Sequence, residues 1–342
     1  MDPKEKKELN QRIMDSVHRH RRKRRIVKLS VAASVLALLA LGSSVWYFQN
    51  GFGASQLSIK DYATSGNSNI NSGTEVKLVL ANEREVRIES DNSQITYSDE
   101  GKTVKIDNQE NLNQAPEEDS EVVYNTMVVP YGKKSRISLA DGSVVWLNSG
   151  TRLTYPIAFT GKRREVYLEG EAIFEVAHNK AHPFYVYTED YEVKVLGTVF
   201  NVSSYPDDAH TSTALESGKV EISFPEKMGT GGGPTTISPG TMATFHKTRR
   251  NMEIKKVDVK HYMSWREGVF IFENDALRSI LKKVSRHYRV NISIADENLA
   301  EQTFSGTLDI SKSLEDVLGI IKETSDFDYQ NLDDQIKINQ NN

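Results

Sequence analysis

Cysteine is absent from the 342 residues of this sequence, and its absence excludes several kinds of chemistry. Without thiols the chain has no disulfide, no thiolate nucleophile and no cysteine ligand for zinc. The sequence also lacks a Gly-x-Ser-x-Gly motif, a recognisable arrangement of Ser, His and Asp, and paired carboxylates in the context of a glycoside hydrolase. We therefore expect a binding or regulatory protein that is not an enzyme and needs no cofactor.

The twenty residues from Leu29 to Phe48 contain no charged side chain. At about 1.5 Å per residue a helix of this length is about 30 Å long, which matches the hydrocarbon core of a bilayer. Trp46 and Tyr47 lie at its far end, where aromatic side chains favour the membrane interface. We expect a single transmembrane helix over 29–48.

Positive charge is concentrated just before this apolar segment. The six cations nearest to it are Arg21, Arg22, Lys23, Arg24, Arg25 and Lys28. Because such residues stay in the cytoplasm, residues 1–28 are expected there, and the chain from about residue 49 onward is expected outside. A signal peptide cleaved near Ala40-Leu41-Gly42 remains an alternative, and it would also export the rest.

The net charge of −4 conceals an uneven distribution. Residues 1–28 hold eleven Lys or Arg and four Asp or Glu, a net +7, which leaves −11 for the remainder. An acidic body argues against direct binding of nucleic acid.

The exported part begins with a segment whose composition differs from that of the β region after it. Residues 49–75 are rich in Gly, Ser and Asn, which predicts a flexible juxtamembrane linker. Over residues 76–259 apolar and polar residues alternate and turn signals recur every ~8–12 residues, which predicts mainly antiparallel strands. Asp141-Gly142, between two alternating runs, is a hairpin signal.

Two stretches of this β region resemble each other. LVLANEREVRIESDNSQITY (78–97) and ISLADGSVVWLNSGTRLTY (137–155) share a Leu-Ala pair, a following apolar pair and a closing Thr-Tyr. Repeated strand units predict a rolled or solenoid-like arrangement of antiparallel sheets.

The pattern changes after residue 262, where strands alternate with helical stripes. The first helix has an apolar stripe that begins at Leu277 and follows Asn274 or Asp275, either of which can cap it; the second begins at Ser311 or Ser313. The predicted order over 262–342 is β-α-β twice, a small α+β module. An exposed strand edge of such a module is suited to accepting a partner strand.

Two further stretches hold residues that could bind a metal or cleave the chain. His178 and His182 have the spacing of metal ligands on a helix, but they flank a turn and no third ligand is evident, so we expect no metal. Gly197-Thr198 lies between two strand runs. A Thr hydroxyl in a strained turn can attack the preceding carbonyl and cleave the chain through an N-to-O acyl shift; the alternative is a bend that Gly permits.

Several motifs together resemble a known family. TMVVPYGKKSRISLADGSVVWLNSGTRLTYP (126–156), REVYLEGEAIFEVAHNKAHPFYV (164–186) and VKVLGTVFNVSSY (193–205) resemble the FecR family of transmembrane anti-sigma regulators, with a signature core over 126–224. WREGVFIFENDALRSILKKVSRHYRVNI (265–292) and FSGTLDISKSLEDVLGII (304–321) resemble the C-terminal domain of the Bacteroidetes type. That domain is similar to the short N-terminal domain of secretins and TonB-dependent receptors.

The resemblance implies a function with two partners. Such proteins hold an extracytoplasmic-function sigma factor at the inner membrane, and their periplasmic part contacts the signalling domain of an outer-membrane TonB-dependent receptor. Substrate binding to the receptor releases the sigma factor, often through regulated proteolysis. The rival hypothesis is an exported, membrane-anchored binding or structural protein with no sigma contact.

The cytoplasmic end departs from the family pattern, because family members usually place a helical domain of several tens of residues before the membrane. Here residues 1–25 precede the apolar segment. The candidate sigma-contact face is one side of a short helix formed by Leu9, Ile13, Met14 and Val17. A helix lying on the membrane surface is the alternative.

Overall fold

The structure is a computed structural model that describes residues 14, 37–44, 58–65, 73–80, 84–88, 94–97, 103–106, 110–113, 122–224, 233–324, 327–332 and 335–340. Its contacts divide the chain into two units, Met1–Gln56 and Leu57–Asn342. In the first unit residues 37–44 are helical. No helix in the described part of the chain is both long enough and apolar enough to cross a bilayer. The span predicted over 29–48 falls largely outside the described residues.

The second unit opens with helix α1 (Ile59–Ser65) and a β domain of eighteen strands. Its first nine strands are β1 (Val76–Val79), β2 (Glu85–Ile88), β3 (Gln94–Tyr97), β4 (Thr103–Ile106), β5 (Glu110–Asn113), β6 (Tyr124–Val129), β7 (Ser135–Ser138), β8 (Val144–Leu147) and β9 (Thr151–Pro156). The next nine are β10 (Arg164–Glu175), β11 (Phe184–Tyr187), β12 (Glu192–Val195), β13 (Val199–Ser204), β14 (His210–Ser217), β15 (Val220–Ser223), β16 (Thr235–Ile237), β17 (Thr241–His246) and β18 (Asn251–Lys256).

These strands form two sheets that share the long strand β10. Sheet A has the order β2-β1-β6-β9-β10-β11-β12-β15-β16. Sheet B has the order β5-β4-β3-β7-β8-β10-β13-β14-β17-β18. The first half of β10 pairs in sheet A and the second half in sheet B. Through β10 the two sheets form one continuous, nearly closed sheet of eighteen strands in the described part of the chain. All pairings are antiparallel except β3–β7 and β10–β11.

One apolar core fills the space between the two sheets. Alternating residues of both sheets meet there, and Phe174 of sheet B contacts the rings of Phe184 in sheet A and Phe200 in sheet B, at centroid distances of 6.2 and 5.2 Å. The period of two in the sequence therefore reflects one face packed on this core. The mainly β, rolled fold expected from the sequence is confirmed.

The two similar stretches form hairpins with matching registers. Val76 pairs with Ile88 across β1–β2, and Ser135 pairs with Leu147 across β7–β8, the hairpin predicted at Asp141-Gly142. In the first copy the Leu80 amide donates to the Arg84 carbonyl at 2.9 Å, and in the second the equivalent Leu139 amide donates to the Ser143 carbonyl at 2.8 Å. The closing tyrosines, Tyr97 and Tyr155, meet in the core with their hydroxyls 2.7 Å apart. The resemblance is thus a repeated hairpin-plus-strand unit within a rolled sheet.

A connecting segment leads into the α+β module. Its elements are α2 (Lys260–Met263), a 3₁₀ turn (Ser264–Glu267), β19 (Val269–Ala276), α3 (Leu277–Tyr288), β20 (Asn291–Ile294), α4 (Glu297–Ala300), β21 (Thr303–Asp309), α5 (Leu314–Glu323), β22 (Phe327–Leu332) and β23 (Gln335–Gln340). Strands β19 and β21 form one sheet, and β20-β23-β22 form another. The predicted β-α-β order holds, but the chain closes with a hairpin, β22–β23, where a single strand was expected.

The two predicted helix caps have different outcomes. Ser313 caps α5, because its side chain accepts a hydrogen bond from the Asp316 amide. The cap predicted at Asn274 or Asp275 is wrong, since α3 begins at Leu277. The Leu277 amide donates instead to the Gln302 carbonyl, 2.8 Å away, which satisfies one of the amides at the helix start.

Part of the expected flexible linker is ordered. Residues 59–65 form α1, and Ile59 and Ala63 are 2% and 4% exposed. They pack on Tyr167 of β10. The prediction of a flexible segment over 49–75 is therefore wrong for these seven residues, because one short apolar stripe finds a partner surface that composition does not reveal.

Candidate functional site

The motifs that carried the family resemblance build the interior of the β domain. Arg164, at the start of β10, is 3% exposed, and its guanidinium donates to Asp141 Oδ2 at 2.6 Å and to two backbone carbonyls. Asp141 also accepts from the amide and hydroxyl of Ser143. This buried ion pair ties the β7–β8 turn to β10.

A second polar group of motif residues centres on Glu171, which is half-buried on the outer face of sheet B, the face that carries Ile173. Glu171 of β10 accepts hydrogen bonds from the side-chain amides of Asn148 at 2.8 Å and Asn201 at 3.0 Å. The Thr151 hydroxyl donates to the Glu171 carbonyl and accepts from the Glu171 amide, both at 3.0 Å. The motif residues therefore act as folding determinants, and the functional surface must be sought elsewhere.

The bond predicted for self-cleavage lies in a short connection between β12 and β13. A Cβ at Gly197 would be 2.7 Å from the Cα of His178, so only glycine allows the two segments to approach so closely. Thr198 is 4% exposed, and its hydroxyl donates to the Lys219 carbonyl at 3.1 Å. Gly197 has no positive φ, so the strain that the cleavage hypothesis invoked is not a feature of its backbone dihedrals.

The two histidines with metal-ligand spacing lie in the exposed turn between β10 and β11. His182 is near Asn179, whose side chain caps the turn by accepting from the amides of Ala181 and His182. Within the described ranges no three residues of the types His, Cys, Asp and Glu form a group that could hold a metal ion.

The junction between the β domain and the module is apolar at its centre. Trp146, Ile173, Ala214 and Met242, on the outer face of sheet B, belong to the same buried cluster as Met263 and Trp265 of the connecting segment and the core of the module. Lys134 donates to the Trp265 carbonyl at 2.8 Å, and Arg266 lies 3.3 Å from Glu175. The module therefore packs directly against the β domain.

A charged cluster closes one side of this junction; we call it the Arg286 cluster, formed by Arg286, Lys282, Asp207, Asp208 and Tyr205. Arg286 of α3 is buried and reaches Asp208 at 2.6 Å and Asp207 at 2.7 Å. Its guanidinium lies over the Tyr205 ring, 3.7 Å from the centroid. Lys282, one turn earlier, lies 2.7 Å from Asp208.

Electrostatics hold the Arg286 cluster in its charged form. Burial alone would raise the pKa of Asp208, but hydrogen bonds and charge from Arg286 and Lys282 outweigh it and lower that pKa below 3.8. Burial likewise opposes the charge on Arg286, yet its bonds to Asp208 raise the pKa of Arg286. Sequence reasoning missed this cluster, because an Arg in an amphipathic helix is ordinarily solvent-exposed.

The module presents free strand edges. In the three-stranded sheet β23 is central, and within the described residues β20 and β22 each pair with it alone. Phe327 of β22 is fully buried, whereas Leu332 at its end is 53% exposed. Each outer strand of this sheet therefore has one edge that pairs with no other described strand, and strand acceptance there stays a prediction.

Most predicted residues of the cytoplasmic and membrane segments fall outside the described part of the chain. These are Leu9, Ile13, Val17, Arg21, Arg22, Lys23, Arg24, Arg25, Lys28, Trp46 and Tyr47. Met14 is described; it is helical and 57% exposed.

Comparisons with known proteins identify both parts of the second unit. Residues 125–221 match a sequence family described as FecR protein, and residues 269–338 match one described as FecR, C-terminal. Two crystal structures of a candidate anti-sigma factor from Parabacteroides distasonis ATCC 8503 are similar, each with 30% identity over 64% of this chain. The 1.65 Å structure gives a TM-score of 0.59 with 99% of its chain covered, and the 2.50 Å structure gives 0.58 with 100%. No curated protein matches the chain.

Proposed function

Because this chain belongs to the FecR family, we propose that it is a transmembrane anti-sigma regulator of the inner membrane. Its cytoplasmic segment binds an extracytoplasmic-function sigma factor, and its periplasmic part receives the signal from an outer-membrane TonB-dependent receptor. The observation that supports this most directly is the similarity, over 64% of the chain, to crystal structures of a candidate anti-sigma factor.

The geometry supports a relay more than a catalyst. The polar motif residues are hydrogen-bonded to one another and to the backbone of the β domain, and the module packed on it has strand edges that pair with no other described strand. A signalling domain that adds a strand to such an edge gains main-chain hydrogen bonds without any preformed pocket. The receptor contact is therefore proposed on the β20-β23-β22 sheet.

The sigma contact is tested by co-purification. The full-length chain in detergent is expected to capture an extracytoplasmic-function sigma factor, and deletion of residues 1–25 is expected to abolish capture while leaving the periplasmic part folded. Transcription from the sigma-dependent promoter is measured in parallel after deletion of the gene. If neither capture nor transcription responds, the anti-sigma proposal fails and a membrane-anchored periplasmic binding protein becomes the better description.

The receptor contact is tested with a matched pair of substitutions. Leu332→Glu changes an exposed side chain on β22, and Ile254→Glu changes one of comparable exposure, 46%, on β18 of the β domain. Binding to a purified receptor signalling domain is expected to weaken only with Leu332→Glu. Equal binding by both variants and the parent chain would exclude this edge.

A further inference from the structure

The outer face of sheet A carries a cluster of tyrosines that helix α1 covers. We call it the tyrosine face, formed by Tyr124, Tyr167 and Tyr187. Tyr167 is 5% exposed beneath Ile59 and Ala63, and Tyr124 and Tyr187 pack around the same group. A buried Tyr on the outer face of a sheet needs a covering element, and here that element is α1.

Polar contacts fix the position of the helix on this face. The rings of Tyr62 and Tyr124 are 5.1 Å apart, and the Tyr62 hydroxyl donates to the Tyr124 carbonyl at 3.3 Å. Lys60 Nζ donates to the Glu189 carbonyl at 3.4 Å. Ser58 caps the helix by accepting from the Asp61 amide at 3.2 Å. The helix is thus held by side chains that reach three separate segments of the β domain, at residues 124, 167 and 189.

Such a helix depends on the surface it covers. Seven residues are too few for a stable helix in water, because isolated helices shorter than about 12–15 residues are marginal. Its helicity is therefore coupled to its docking, and loss of the tyrosine face would return residues 59–65 to an extended chain. We therefore expect two states of this helix, docked and released.

We propose that the tyrosine face is an intramolecular docking surface whose occupant is α1, and that docking shields residues 59–65 from proteolysis. Release of α1 from this face exposes Lys60 and Tyr62 as cleavage points.

Limited trypsin digestion of the full chain in detergent tests the docking, with cleavage after Lys60 followed by mass spectrometry. Ala63→Gln inserts a long polar side chain against Tyr167, whereas Thr64→Gln places the same side chain on the exposed side of the helix. Cleavage after Lys60 is expected to be on the order of tenfold faster with Ala63→Gln and unchanged with Thr64→Gln, since proteolysis follows the population of the open form.

Two further measurements separate docking from other effects. Hydrogen exchange of the peptide spanning residues 57–66 is expected to be protected in the parent chain and in Thr64→Gln, and unprotected in Ala63→Gln and Ile59→Ser. Thermal unfolding of the β domain is expected to be the same in all four. Equal, rapid exchange of this peptide in the parent chain and the variants would overturn the proposal. Sigma capture is scored separately, so failure of the docking leaves the anti-sigma proposal testable on its own.

Discussion

At the scale of single residues, buried charge marks the positions that matter most for folding. Arg164 and Arg286 are both buried, and each is held by carboxylates brought from a distant part of the chain. A buried arginine without its carboxylate is far more costly than an exposed one, because its charge loses solvation that nothing replaces. The stability of the β domain and of the docked module should therefore depend on Asp141 and Asp208, respectively.

The first prediction concerns the Arg164–Asp141 pair. Asp141→Asn keeps the turn chemistry of the hairpin but removes the charge, and it is expected to lower the free energy of unfolding by about 3 kcal/mol. Urea unfolding followed by tryptophan fluorescence measures the loss. Glu75→Gln is the control, because Glu75 and its partner Arg87 are both exposed, and it is expected to cost less than about 1 kcal/mol. Equal losses would contradict a special role for the buried pair.

The second prediction concerns the Gly197-Thr198 bond. If the Thr198 hydroxyl attacks the Gly197 carbonyl, the amide bond is replaced by an ester that water then hydrolyses. The purified chain would run as two fragments on a denaturing gel, and Thr198→Ala would run as one. The hydroxyl must first leave the Lys219 carbonyl, to which it donates in this conformation. Thr188→Ala, at another buried threonine, is the matched control and should leave cleavage unchanged. A single uncut band for the parent chain would dismiss the hypothesis.

At the scale of elements, β10 is the strand on which the β domain depends. It passes from sheet A into sheet B at Gly170, which has a φ of +108°. A Cβ there would be 2.6 Å from the Thr151 hydroxyl and 2.7 Å from the Thr151 Cα, so neither the backbone angle nor the space permits a side chain. The bend that joins the two sheets thus requires glycine.

Gly170→Ala is expected to destabilise the chain by more than about 2 kcal/mol, since strain and backbone overlap act together. Gly306→Ala is the matched control, because Gly306 lies in β21, a Cβ there meets nothing within 4 Å, and its φ is outside the left-handed region. Thermal unfolding of the two variants provides the comparison. A similar small change in both would show that β10 relaxes around the new methyl group.

The sequence reveals elements better than it reveals their partners. The β7–β8 hairpin, the apolar stripes of α3 and α5, and the cap at Ser313 are consequences of local chemistry, and each is present. The division of β10 between two sheets, the docking of α1 and the burial of Arg286 depend on segments far apart in the chain. Local pattern carries no information about which distant surface a short helix or a long cation will meet.

At the scale of the whole molecule, two histidines near the junction are expected to make the stability of the docked module depend on pH. Burial lowers the pKa of His287 below 6.5, with the charge of Lys134 acting in the same direction and the Ile310 carbonyl opposing it. Burial also lowers the pKa of His210, against the opposing charge of Asp208. In both cases the unfolded chain takes up the proton first, so stability falls as the pH drops below 6.5.

The expected result is a loss of stability as the pH falls below about 6.5 that shrinks in His287→Phe and in His210→Phe. Fluorescence of Trp265, buried at the junction, can report the unfolding transition. His182→Gln, at an exposed turn, is the control and should retain the full loss. A second loss occurs at lower pH, because the stabilisation from Asp208 is complete above 3.8 and disappears as the pH falls through its depressed pKa. If the loss of stability below pH 6.5 is unchanged in both phenylalanine variants, groups other than these two histidines cause it.

The strand that joins the sheets also joins the two docked elements. Tyr167, beneath α1, and Ile173, beneath the module, are six positions apart on β10, or about 20 Å along an extended strand. Both docked elements therefore rest on one strand, with the bend at Gly170 between their contact residues. A change at that bend is expected to disturb the docking of α1 and of the module together.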